Sequence, residues 1–492
     1  MEEQAKRLHP FKIPFEFWKL LKGNVFFIIM LYVLNFGSEK MYMKVLQIGF
    51  LVYLIWKVIS VILKWYTYKY QIKESAIHIT SGLISKSYRT VPLHKVQNVQ
   101  QRTTLFHKIF RLTSLTFETG MTGDQGTVLF EMISRKEAER LEGEYASKQE
   151  LPVIEVDSPE ERIAEDIQPT SEKTIHFTPS KQDVLKASFT SLSFLALIPI
   201  LATLYNTLDD FIDLENAEGF LARLLDTWWI ITIVIAGLIC VAVAFGIVST
   251  FVKYGKYEIS SDHERIYIKK GVLDESAFSI QKEKVQAVEI TQSIIKRLLG
   301  LAEVKLISAG STGDEDLETN TLYPFLSIER AYGMVEEILP AYKVERSMKS
   351  LSKQAFKIRM LRPSFFWILT TLAIYYFKPS LWYISLILFV LIYTLRIMDY
   401  KNSRYLLNDE FIQFKSGSLE TSLFITKRSK VIQIEVERSR LQKFFGLATI
   451  ETINRSKPVH HTKLQDVSVN YADEFYTWYM DRTKISKSNS NQ

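Results

Sequence analysis

Several small groups of basic residues in this 492-residue chain could converge on an anion: Lys86, Arg89 and Lys95; Lys427, Arg428 and Lys430; and Lys282 with Lys284 around Glu283. Such groups suit phosphate or carboxylate, because charge-assisted hydrogen bonds are about twice as strong as neutral ones. Two readings stand side by side: a specific anionic ligand or partner, or a general attraction to an anionic leaflet, worth about 1 kcal/mol per residue near the surface. Other chemistry is poorly provided for. The eight histidines are scattered, with His460-His461 the one adjacent pair, and the single cysteine, Cys240, lies in an apolar run, so neither a zinc cluster nor an internal disulfide is expected. H-E-x-x-H, a P-loop and a G-x-G-x-x-G after a strand are all missing. Gly310-Ser311-Thr312-Gly313-Asp314 has the look of a phosphate cradle or a nucleophile turn. Yet Gly120-Met121-Thr122-Gly123-Asp124 recurs at the equivalent place without the serine, as a shared hairpin turn would explain. Lys57 lies inside an apolar stretch, where ionisable residues are costly and usually functional, although a lysine there can also snorkel to an interface. The expectation is no catalytic residue, no cofactor and no metal, with a transporter or membrane enzyme resting on Lys57 alone.

Composition sets the surroundings of these residues. Hydrophobic content is 47%, charged content 23% and mean hydropathy +0.02, which suggests charged soluble modules alternating with apolar spans. A net charge of +7 would permit nucleic acid or an anionic membrane as partner, and the spans favour the membrane. Glu2–Lys22, basic and then aromatic around Pro14, reads as an interfacial helix or as the flank of a first span, not as a cleavable signal peptide. Six stretches approach the roughly 20 apolar residues that a crossing needs: Asn24–Phe36, Lys44–Trp65, Phe189–Leu208, Trp228–Phe251, Phe365–Phe377 and Leu381–Ile397. They pair into three hairpins. Lys/Arg cluster at the N-terminus, at Lys253 and Lys256 and from Lys349 to Arg362, whereas Tyr205–Thr227 is acidic with Arg223 its one basic residue. The positive-inside rule then places both termini and the soluble modules in the cytoplasm of a multi-pass protein in a bacterial plasma membrane.

The modules repeat. Gly82–Leu112, Gly271–Leu301 and Gly417–Leu447 register without a gap. Each copy carries Lys-Val (Lys95-Val96, Lys284-Val285, Lys430-Val431), then Val99, Val288 or Ile434. They close on Phe110-Arg111-Leu112, Leu299-Gly300-Leu301 and Phe445-Gly446-Leu447. Within copies the period is two, predicting strands at Tyr68–Lys73, Ala76–Gly82, Leu83–Leu93, Val96–Arg102, Thr116–Gly120 and Thr127–Ile133, with a helical turn at Thr104–Phe110. Closing helices are expected from Ser134 to about Ser147 behind an S-x-x-E capping box, from Ser327 to Leu339, and over Tyr471–Arg482 capped by Asn470. Antiparallel strands closed by one helix describe a small pleckstrin-homology-type barrel.

Lys284-Val285-Gln286 through Leu298-Leu299-Gly300-Leu301-Ala302-Glu303-Val304-Lys305 to Gly310, following paired apolar helices, resembles the bacterial pleckstrin-homology-like integral membrane family in its three-copy, YdbT-type layout. Arg111 and Ile432 depart from the pattern, which has glycine and glutamine there. The resemblance implies barrel fold and membrane topology and brings no catalytic motif. The expected architecture is six transmembrane helices in three hairpins, each followed by a cytoplasmic PH-like barrel with a C-terminal helix. The expected segments are residues 1–66 (hairpin 1), 67–147 (PH-like domain 1), 148–180 (acidic disordered linker), 181–252 (hairpin 2), 253–342 (domain 2), 343–398 (linker and hairpin 3), 399–483 (domain 3) and 484–492 (disordered tail). The functional expectation is a non-enzymatic scaffold assembling with a smaller PH-like membrane protein or with itself, to maintain or protect the envelope. Its acidic outer loop, Asp209–Asp226, would blunt cationic membrane-active peptides. The alternative is an anionic-lipid-recognising module. Alternating Gln97, Gln100 and Gln101 on Val96–Arg102 could form either a docking edge or the polar face of an internal strand.

Overall fold

A computed structural model of the chain describes residues 5–33, 35, 40–83, 85–119, 126–147, 173–190, 228–308, 321–456 and 458–481. Most of the expected third span, the acidic loop Tyr205–Thr227, residues 148–172 of the acidic linker, both glycine-bounded turns and the C-terminal tail lie outside these residues. The described end of that linker, expected to be disordered, holds the strand Thr174–Phe177, paired with Glu258–Ser261. Copy 1 supplies β1 (Lys69–Lys73), β2 (Ala76–Ser81), β3 (Ser87–Pro92), β4 (Val96–Thr103), β5 (Leu112–Thr119) and β6 (Thr127–Ser134). Copy 2 supplies β7 (Thr174–Phe177), β8 (Glu258–Ser261), β9 (Arg265–Lys270), β10 (Glu275–Gln281), β11 (Val285–Gln292), β12 (Leu301–Ser308) and β13 (Thr321–Ser327). Copy 3 supplies β14 (Lys349–Ser350), β15 (Arg404–Leu407), β16 (Phe411–Ser416), β17 (Thr421–Lys427), β18 (Val431–Glu437), β19 (Leu447–Asn454) and β20 (His460–Ser468).

The repeat is physical as well as textual. A bulge interrupts the ladder at Val96/Asn98, Val285/Ala287 and Val431/Gln433, and a second at Thr113/Leu115, Ala302/Val304 and Ala448/Ile450. A 3-10 turn precedes each first bulge, at Leu93–Lys95, Lys282–Lys284 and Arg428–Lys430. Where copies 2 and 3 have Gly300 and Gly446 at φ 67° and 66°, Arg111 takes the same left-handed conformation at φ 54°.

The chain divides into two compact units, Met1–Ser171 with Leu273–Ser279, and Glu172–Val272 with Ile280–Gln492. In the first, sheet β1-β2-β3 and sheet β6-β5-β4 enclose one core of Ile77, Ile79, Val91, Leu115, Phe117 and Phe130, closed by Leu141 and Tyr145 of the helix Arg135–Ser147. Ser134 Oγ accepts from Glu137 N, as the capping-box spacing predicts. The N-terminal segment straps onto this domain: Leu8 is buried in its core, and Lys19 pairs with Glu131 at 2.7 Å.

In the second unit the strands do not stop at copy boundaries. One seven-stranded sheet runs β13-β12-β11-β17-β16-β15-β14, joining copy 2 to copy 3. β11 and β17 pair antiparallel from Ala287↔Thr426 through Gln292↔Thr421. Ala287 and Ile307 of copy 2 accordingly share a core with Phe414, Phe424, Leu447 and Phe475 of copy 3. The closing helices are Ile328–Ile338 and Val469–Met480, the latter capped by Ser468 Oγ and not by Asn470.

Six spanning helices in three hairpins are not found among the described residues. Among the described residues two helices are long and apolar enough to cross a membrane, Met41–Thr67 and Pro379–Asn402. The first expected span fails because its helix, Lys12–Ile28, carries Lys12, Glu16, Lys19 and Lys22 and gives way to a π-helical turn at Ile29–Val33. Lys12 and Lys19 are held at Glu131 of the copy 1 sheet. The fifth, Phe365–Phe377, has 13 residues and spans about 20 Å against a hydrocarbon core of about 30 Å. The fourth is a continuous helix, Trp228–Tyr254, of which Cys240–Tyr254 is the described apolar part.

Candidate functional site

Because β11 and β17 run antiparallel, the turn before β11 and the turn after β17 fall at the same end of the shared sheet. That end gathers Lys284, Lys427 and Lys430, so the copy 3 group and part of the copy 2 pair meet. Lys430 Nζ donates to the Glu283 carbonyl oxygen at 2.6 Å, and Lys427 Nζ lies 5.3 Å from the Tyr342 ring centroid. Arg428 turns aside to the Trp478 carbonyl at 3.4 Å. Burial holds the Lys430 ammonium below its ordinary pKa, helped by Lys427 and Lys284 and opposed by Glu283. Lys282 is likewise lowered by burial, with Asp262 opposing. An anion placed at this end would ease the mutual repulsion of these cations.

The copy 1 group does not converge. Lys86 and Lys95 are exposed and bracket β3 from opposite ends, while Arg89 Nη1 donates to the Thr127 carbonyl at 3.0 Å. Gln97 and Gln100 lie on β4, beside which β10 is the next strand in the sheet, so this edge is internal. Lys57 lies along the helix Met41–Thr67 with its ammonium 5.5 Å from the Trp56 ring and 5.6 Å from the Tyr53 ring. His460 stacks on Phe424, and His461 pairs with Glu451 at 2.7 Å. Among the described residues no group of three or more His, Cys, Asp or Glu could hold a metal ion.

A cavity of about 350 Å³ in copy 2 was not foreseen. Tyr254 closes the apolar helix Trp228–Tyr254, and Thr190 closes the helix Lys181–Thr190 packed beside it. Tyr257 and Phe325 line the cavity with them, as do Lys270, Lys296 and Lys305. Lys296 Nζ pairs with Glu303 at 2.6 Å and lies 5.3 Å from the Phe325 ring; Lys305 is 3.6 Å from the same carboxylate. Three lysines against one glutamate leave the cavity cationic, beside aromatic rings at the end of an apolar helix. The residues come from β9, β12 and a helical turn, so no local motif announces them; the Lys269-Lys270 pair is their one sequence signal.

The comparisons with known proteins fit this architecture. The chain is 24% identical over 491 residues to the UPF0699 transmembrane protein YdbT of Bacillus subtilis (strain 168), covering 97% of this chain and 99% of that one. No solved structure matches it. The bacterial PH domain pattern matches residues 25–149, 198–341 and 364–483, most of the chain and all three copies, and the chain therefore belongs to the bacterial PH domain family.

Proposed function

We propose that the chain is a non-enzymatic, multi-pass membrane protein whose bacterial PH domains form a scaffold at the cytoplasmic face of a bacterial plasma membrane. There it assembles with a membrane partner to maintain or protect the envelope. The observation that carries this reading is the β11–β17 ladder, which fixes two domains into one sheet. A scaffold needs fixed spacing between its docking faces, and such a ladder supplies it. Membrane attachment is supported by the helices Met41–Thr67 and Pro379–Asn402 and by the relative's description as a transmembrane protein. The cytoplasmic placement rests on the distribution of Lys and Arg. The test is purification of the tagged chain from its native membrane in mild detergent, with mass spectrometry of proteins and lipids. A second membrane protein in fixed stoichiometry is expected; a preparation holding the chain and lipid alone overturns the reading.

The copy 2 cavity favours a second reading, recognition of an anionic lipid headgroup. Hydrogen bonds to charged groups contribute roughly 1.5–3 kcal/mol each, so Lys296→Gln with Lys305→Gln should lower retention of anionic lipid by about tenfold or more. Native mass spectrometry of the full chain, with zwitterionic lipid as control, reads this out. Equal retention of both lipids by wild type and variant removes the reading.

A further inference from the structure

The ladder that joins copies 2 and 3 leaves its two halves exposed at the ends of the chain. β11 is covered by β17, and four of its first five residues are buried. Its counterpart in copy 3, β18, is an edge strand, with Ile432 51% and Val436 39% exposed. The counterpart of β17 in copy 1 is β3, also an edge strand, with Tyr88 74% exposed and Pro92 closing it. Unpaired edges of this kind are templates for an added strand.

The two free edges carry the chemistry of the occupied junction. Across β11 and β17, Ser422 Oγ donates to Glu289 Oε1 at 2.5 Å, and Lys430 Nζ donates to the Glu283 carbonyl. With Gly82, Gly271 and Gly417 aligned, Ser87 stands where Ser422 does and Glu435 where Glu289 does. Lys95 stands where Lys430 does, and the Ser429 carbonyl replaces that of Glu283. The same register sets Tyr88 against Val436, as Leu423 is set against Ile290, and sets Arg89 against Glu435, as Phe424 is set against Glu289. Basic β3 thus meets acidic β18.

We propose that β18 of one chain pairs antiparallel with β3 of a second copy of this chain, extending the internal β11–β17 register head to tail. The contact is heterologous, so it generates a ring where the rotation closes and a row where it does not. Arg89, Lys95 and Glu435 act in this contact, and Lys95 has its ammonium placed by the partner's backbone.

The test is directional cross-linking in native membranes. Two differently tagged full-length chains are co-expressed in a Cys240→Ser background, one carrying Val436→Cys and the other Tyr88→Cys. Disulfide geometry is exacting, so a species of two-chain mass should form with about tenfold higher yield than from the off-register pair Ile432→Cys and Tyr88→Cys. In a second measurement, Glu435→Arg should lower self-association and the added Arg89→Glu should restore it, an outcome that misfolding cannot imitate. No two-chain species, equal yield from the off-register pair, or capture of Val436→Cys by a different protein would each overturn the proposal.

Discussion

Arg111 holds a left-handed backbone conformation that glycine holds in the other two copies. A side chain there costs about 1–2 kcal/mol, and glycine returns part of that as unfolded-chain entropy. Arg111→Gly should therefore stabilise the first unit by roughly 0.5 kcal/mol, read by denaturation of the detergent-solubilised chain. Gly417 is the opposite case: at φ 116°, an added Cβ would lie 1.9 Å from the Glu420 carbonyl oxygen. Gly417→Ala should cost about 2 kcal/mol or more in the same assay. Asp466, fully buried, holds Arg359 at 3.3 Å, Arg362 at 3.1 Å and Gln442 Nε2 at 2.9 Å. Arg359 also holds Asp399 of the apolar helix at 2.8 Å, so the network ties that helix to the copy 3 domain. Asp466→Asn should cost about 3 kcal/mol, because the buried Arg359 guanidinium loses one of its two carboxylate partners and Arg362 loses its own. Burial would raise the Glu451 carboxyl, but hydrogen bonds from Lys463 and His461 outweigh it and hold the group below its ordinary 4.5. A depressed carboxylate contributes stability that is present above 4.5 and lost as pH falls through the folded value. Lys463→Met should flatten that acid limb of the stability profile.

At the scale of elements, the same strand meets two fates. β11 and β18 share register, bulge and preceding turn, yet β11 is covered by β17 and β18 is not. Hydrogen exchange on the dissociated chain should show the amides of Val288–Thr291 protected and outward amides of Ile434–Glu437 exchanging at least about tenfold faster. Assembly in the membrane should then add protection to β18. Apolar stretches diverge in the same way. Met41–Thr67 has the length to cross, whereas Lys12–Ile28 spends its charged face on Glu131 and Phe365–Phe377 ends a third short of the hydrocarbon core.

At the scale of the whole molecule, the two helices long and apolar enough to cross a membrane would suffice for stable anchoring. The chain should stay in the membrane pellet after an alkaline carbonate wash; release into the supernatant would refute integral insertion. The three copies are unequal partners. Copy 2 contributes strands that pair with copy 3, while copies 1 and 3 each keep one complementary edge open. Lys57 holds its ammonium over aromatic rings of its own helix, and Lys57→Leu should leave membrane insertion unchanged.

The threefold repeat, the strands within it, the capping box at Ser134 and the family were legible in the residues alone, because period-two burial, left-handed glycines and cap spacing are local constraints. Hydropathy alone overcounted the spans, since it does not register that the Asn24–Phe36 stretch begins inside the helix Lys12–Ile28 and passes into a π-helical turn at Ile29–Val33. Nor could it show that Lys427 and Lys430 meet Lys284, or that Lys270, Lys296 and Lys305 share a cavity, because each set is assembled from separate strands and turns. Which copy's edge is covered depends on the pairing of β11 with β17. Both strands carry the same pattern in every copy, so local sequence is nearly degenerate there. Only the path of the chain through space decides it.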